Sequence, residues 1–274
     1  MSTNENKDKK AEVTALQAIS AEDRKDWISL AFVQAGICVC VPAFLLGALL
    51  AEAMPIWPAI ISGSLGYLIV VVGMVATGMI GCDLGLASCT CCQAGFGKSG
   101  ARFIVSTIFA VNMIGWFGIQ NGVCGEAFSN AMLAMTGWDI PVVVSNTIWG
   151  IIMLLTAVYG VHALEKLDKI SIPLLMIIMC YGTFLAFKVY GTGNLNDEGT
   201  VQSMSFMSGV ALSFNFTAVG TITGPDYTRF QKSRKDTVKS VFYGVFPMGV
   251  ITLIMGIVLT KLSGQYDISI CLLY

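Results

Sequence analysis

The chain has 274 residues, of which 55% are hydrophobic and only 12% charged, with a formal net charge of −1. A soluble domain is about 25% charged, and half of that leaves too few ionic groups to cover a water-facing surface. The near-zero charge balance excludes a strongly basic nucleic-acid binder, and what remains is an all-α polytopic protein of the lipid bilayer.

Residues 1–27 are polar, lack the apolar core of a secretory signal, and read as an N-terminal cytoplasmic tail. A hydrocarbon layer of about 30 Å takes about 20 apolar residues as a helix. Seven stretches meet that need: 28–53, 56–81, 102–130, 140–162, 170–190, 206–224 and 239–262, which together make 28–265 the membrane part. Residues 266–274 read as the start of an eighth helix. The runs are continuous and do not alternate as barrel strands would.

Of the 16 basic residues, all but Lys188 and Lys261 fall on the side of the N-terminus if the spans alternate. That excess marks the cytoplasmic face of a cell membrane. Trp57, Trp138 and Tyr190 stand at span ends, as an aromatic belt requires. Cys89, Cys91 and Cys92 form a CxCC cluster between the second and third spans. It could bind a metal, but His162 is the chain's one histidine and lies far off in sequence. The alternative is small apolar side chains facing a reducing compartment, and neither metal nor cofactor is expected.

Three spans carry more than anchoring residues. The first reads GICVCVPAFLLG, with Pro42 near its middle between Gly36 and Gly47. Proline removes a donor, and the freed carbonyls can hold a cation; a plain proline kink is the alternative. In the third span, Trp116 lies near mid-depth and Gln120 one turn further on, so both share a face. An indole beside an amide suits a planar solute with hydrogen-bonding edges. The alternative is a helix contact, with Gly115 and Gly118 permitting close approach and Gln120 bonding a neighbour. The sixth span places Asn215, Thr217, Thr221 and Thr223 around Phe216, and Gly220 and Gly224-Pro225 weaken the helix. Polar, interrupted spans point to a solute site at the bilayer midplane.

Among ionisable groups, Glu126 is either a mid-membrane candidate or an outer-interface residue, and Glu52 and Asp83 stand solvated at span ends. Asp226 and Arg229 fit an i,i+3 ion pair at the inner interface, with a structural or gating role. No HExxH or GxSxG motif suggests an enzyme, and no filter loop or charge ring suggests a channel.

Several of these segments resemble the nucleobase–cation symporter family 1, which includes cytosine, hydantoin, allantoin and uracil permeases. The likeness rests on Phe32–Gly47, GWFGIQ at 115–120 and PDYTRF at 225–230, with a weaker match in LGLAS at 84–88 and FG at 96–97. The resemblance implies the first seven helices of a twelve-helix, five-plus-five inverted-repeat transporter, with helices 1 and 6 unwound at mid-depth. It implies import of a purine, pyrimidine or related heterocycle with sodium ions or protons.

By the same resemblance, Trp116 stacks on one ring face and Phe216 on the other. Gln120 bonds the ring edge, with Asn215 or Thr217. Phe216 lies one residue further from Asp226 than the family spacing, which would fall on Thr217. Met113 stands where cytosine permeases place a glutamine. The cation would be held by backbone carbonyls in the stretch from Cys40 to Ala43. Family members are considerably longer, so the resemblance also implies C-terminal truncation, with a non-transporting remnant as the alternative.

Overall fold

The computed structural model describes residues 16–158, 161–192, 195 and 204–264, without the side chains of 158–168. Residues 266–274, read as the start of an eighth helix, lie outside the described residues. Regular structure among the described residues is helical throughout.

Helices α1 (Trp27–Cys38) and α2 (Val41–Ala53) form one span bent by 53°. Val39 and Cys40 are non-helical, at φ −89°, ψ 76° and φ −145°, ψ 155°. Pro42 occupies the first turn of α2, where its missing N–H costs no helical bond. α3 (Ile56–Leu84) is continuous and ends at Gly85, whose φ of +66° an L side chain would resist. Two short helices, α4 (Ser88–Cys91) and α5 (Gln93–Gly100), lead through a π-helical turn at Ala101–Val105 into α6 (Ser106–Thr136).

Helix α7 (Val142–Val158) is short. Helix α8 (Val161–Tyr190) starts earlier than the apolar pattern indicates, because the basic segment around Lys166 and Lys169 continues the helix instead of forming a loop. That segment, ALEKLDK, consists largely of strong helix formers.

The sixth span is α9 (Phe206–Thr217) followed by α10 (Val219–Thr228). The joint residue, Ala218, keeps helical angles of φ −54° and ψ −32°. This span is therefore pinched, not unwound, and Gly224-Pro225 lies inside α10. The seventh span is α11 (Arg234–Ser263), started by the Ser233 side chain, which accepts from the Asp236 N–H. By length and apolarity five helices qualify to cross a membrane, six if the bent α1–α2 pair counts as one span. Helix α7 is apolar but shorter.

Helix α11 packs along α1, α2 and α3, while α9 and α10 pack along α3. In lipid there is little hydrophobic drive for helices to associate, so small residues and interhelical hydrogen bonds decide the packing. The Ser213 hydroxyl donates to the Gly63 carbonyl at 2.7 Å, Thr77 to the Thr221 carbonyl at 2.6 Å and Thr228 to the Gly78 carbonyl at 2.7 Å. The core between these helices is built on Leu46, Leu50, Tyr67, Met74, Leu253 and Ile257. The third span stands apart from this unit. α6 packs mainly on α7, and between Ser106 and Thr136 only Gly125 and Ser129 are buried.

Candidate functional site

The bend in the first span frees backbone oxygens. Pro42 has no N–H for the Cys38 carbonyl, and the Ala43 N–H donates to the Cys40 carbonyl at 3.0 Å instead of to Val39. No backbone N–H among the described residues donates to the carbonyl of Cys38 or Val39. The family resemblance places the cation-holding carbonyls in the stretch from Cys40 to Ala43. The structure moves them two or more residues earlier, because the chain is already extended at Val39 and Ala43 is inside α2.

Beside this break lies the third span. The Gln120 side chain lies beside the Cys40 thiol. One turn earlier on the same face, Trp116 meets Phe216 of α9 edge-to-face, with ring centroids 5.2 Å apart and planes at 84°. Both rings are half-buried, and Phe216 also packs against the core around Tyr67 and Met74. Of the two positions that the spacing leaves open for the second aromatic, Phe216 is the one that faces Trp116. Gly115 and Gly118 have no non-local heavy atom within 4 Å of where a Cβ would stand. Close helix approach therefore does not explain those two glycines.

Other expected site residues are placed elsewhere. Asn215 is exposed and has no hydrogen bond among the described residues. The Thr217 hydroxyl donates to the Ser213 carbonyl at 3.0 Å, and Thr223 to Val219 at 3.1 Å, both back onto their own helix. Half of the polar load of the sixth span is thus spent on helix bonding, a common use for threonine in membrane helices, while the buried Thr221 hydroxyl has no partner among the described residues.

Asp226 and Arg229 form no ion pair. An Asp226 carboxylate oxygen accepts from the Ser88 N–H at 3.0 Å, at the start of α4, where the free amides of a first turn attract an anion. The Arg229 guanidinium lies 4.8 Å from the Phe230 ring centroid. Burial pulls the Arg229 pKa below its ordinary value, against the opposing effect of nearby Asp226. Cys91 is likewise pushed up by burial, then by Cys92 and Asp226, which disfavours the thiolate that a metal needs. Among the described residues no three His, Cys, Asp or Glu side chains are placed to share a metal ion.

The basic residues on the N-terminal side of the spans carry a further arrangement that composition does not reveal. Arg24 donates to the Gln231 carbonyl at 2.9 Å and the Lys25 N–H to Phe230 at 2.7 Å. Lys232 pairs with Asp26 at 2.5 Å, and Arg234 forms a two-pronged pair with Asp83. Adjacent opposite charges at 232–236 and 22–26 are the one sequence signal of this strap.

Residues 19–270 match the family of permeases for cytosine/purines, uracil, thiamine and allantoin. The chain belongs to this permease family. Among relatives, the cytosine permease of Escherichia coli K12 is 27% identical over 250 residues, covering 90% of this chain and 57% of that protein. The purine-uracil permease NCS1 of Arabidopsis thaliana is 25% identical, covering 80% of this chain and 41% of that one. The fold is that of the nucleobase-cation-symport-1 transporter Mhp1. The closed Mhp1 structure with bromovinylhydantoin bound superposes with a TM-score of 0.83 at 18% identity, over 94% of this chain and 60% of that one. The inward-facing form of Mhp1 gives a TM-score of 0.79. This permease chain thus spans 41–60% of the length of these relatives, and it is a multi-pass membrane protein.

Proposed function

We propose that the chain forms the solute-binding part of a secondary carrier that imports a flat nucleobase-like heterocycle together with a cation, in a plasma membrane and with its N-terminus in the cytoplasm. The observation that carries this reading is the meeting of the broken first span, with its free carbonyls, with the Gln120 amide and the Trp116–Phe216 pair. The relatives, which include a cytosine, a purine-uracil and an allantoin permease, agree with that class of solute.

A ring held between two others needs their planes about 7 Å apart, twice a carbon–carbon contact. At 5.2 Å and edge-to-face, the Trp116–Phe216 pair leaves no slot for a third ring between them. A heterocycle therefore enters by turning Phe216 aside and taking its place on the indole. Gln120 then offers one acceptor and two donors to the ring edge. A sodium ion arriving at the break would be coordinated by the free carbonyl oxygens of Cys38 and Val39 and couple the two bindings. Asn215 joins the site only if the sixth span rotates or unwinds at Ala218. The basic excess on one side of the spans supports the orientation. The family is one of carriers, and enzymatic turnover is not part of this reading.

Uptake of radiolabelled cytosine, uracil and allantoin by a permease-deficient cell expressing the chain tests it. The expected result is saturable uptake of at least one of them that collapses when the cation gradient is dissipated. Uptake that rises linearly with concentration, or none above the empty cell, would refute carriage by this chain.

A further inference from the structure

Next to Gln120 stands Asn121, turned the other way. Its amide lies against Gly150 of α7, where a Cβ would come within 3.2 Å of the Asn121 nitrogen. The reciprocal contact sits one turn along: Asn146 of α7 fills the space beside Gly125 of α6 so closely that any side chain there would overlap it. The two helices therefore carry the same Asn-x-x-x-Gly spacing, 121/125 and 146/150, and interlock it head to tail. The Ser145 hydroxyl adds a 2.7 Å bond to the Gly125 carbonyl, and Phe128 packs on Trp149 with centroids 5.5 Å apart.

This interlock has little competition. Few residues of α6 are buried, and in lipid apolar faces do not by themselves hold two helices in one register. The Asn121 oxygen, the Asn146 oxygen and the Trp149 Nε1 are all buried without a partner, so a small turn of either helix changes how they are met. Successive helical residues are about 100° apart. A grip at 121 therefore also sets where 120, and 116 one turn below it, must face.

We propose that Asn121 is a positioning residue of the solute site: seated on Gly150 and matched by Asn146 on Gly125, it fixes the rotation of the third span and so turns Gln120 and Trp116 toward the break in the first span. The inference rests on the reading of Gln120 and Trp116 as solute-bonding groups, but its test does not depend on transport. In the full chain, every native cysteine except Cys40 is replaced by alanine and Gln120→Cys is introduced. Dibromobimane, which fluoresces strongly once two nearby thiols have taken both its arms, then reports the approach of positions 40 and 120 in membranes.

Asn121→Leu is expected to slow that bridging about threefold or more. A reference pair in the other part of the fold, Thr77→Cys with Thr221→Cys, should keep its rate. Moving the clasp across the interface, Asn121→Gly with Gly150→Asn, is expected to restore the 40–120 rate, while Gly150→Asn alone does not. Unchanged 40–120 bridging in Asn121→Leu overturns the proposal. So does an equal fall at the reference pair, because the asparagine would then support the whole fold and not one rotation. Absence of bridging in the parent pair itself would instead remove Gln120 from the break, and with it the reading beneath.

Discussion

Trp116→Ala is expected to weaken binding of a nucleobase-like heterocycle by about 5- to 150-fold, the equivalent of the ~1–3 kcal/mol that one base stacked on an aromatic ring contributes. Trp116 is the larger of the two rings, and it meets its present partner, Phe216, edge-to-face. An edge-to-face pair is worth about 0.5–1.5 kcal/mol, so replacing Phe216 by a stacked heterocycle trades a modest contact for a stronger one. Alanine removes the platform and leaves nothing to recover that difference. Trp116→Phe should keep most of the affinity, and Gly115→Ala should change nothing, since no neighbour stands within 4 Å of its Cβ position. Scintillation proximity binding of labelled heterocycle to the purified chain measures all three. Equal affinity in Trp116→Ala would reject the stacking role.

The second large effect is expected on the fold. Gly47 of α2 and Gly256 of α11 face each other where the two backbones cross. A Cβ on Gly256 would collide with the Phe44 carbonyl oxygen and stand 3.0 Å from its Cα, and one on Gly47 would stand 3.0 Å from the Ile257 nitrogen. These neighbours are backbone, which cannot turn away as a side chain can. Gly256→Val must push the seventh span off the first, opening the core around Leu46, Leu50 and Leu253. Overpacking of this kind costs about 1–3 kcal/mol and sometimes more. The upper part of that range is expected here, read as a lower melting temperature and loss of the monodisperse peak in fluorescence-detected size exclusion. Gly118→Val, made as the comparison, should melt with the parent chain.

The multi-span helical architecture and the proline break were legible because both follow from one-dimensional rules: the length of apolar sequence a bilayer needs and the missing donor of Pro42. Trp116 and Gln120 were legible as a shared face through their i,i+4 spacing. The exact carbonyls at the break were not, because Val39 and Cys40 carry no signal of their own and become extended only in response to the proline beyond them. The roles of the polar residues in the sixth span were not legible for a related reason. Serine and threonine at mid-depth look alike in sequence whether they face a solute, bond a neighbouring helix as Ser213 does, or bond their own helix as Thr217 does. Asp226 and Arg229 have ion-pair spacing, yet the Ser88 amide, far away in sequence, takes the carboxylate. The Asn121–Gly150 contact was missed although its spacing recurs on both helices, because one occurrence of Asn-x-x-x-Gly means little until its partner is known to lie opposite.

Cys40 gives the most direct test that the break in the first span opens onto the solute site. Among the described residues, its thiol lies beside Gln120. In a chain keeping Cys40 as its single cysteine, alkylation by a small membrane-permeant maleimide is measured with and without a saturating heterocycle that the parent binds. The account predicts that bound solute slows Cys40 alkylation severalfold, and that Trp116→Ala abolishes this protection. An alkylation rate that the solute leaves unchanged would place the binding site elsewhere and contradict the account.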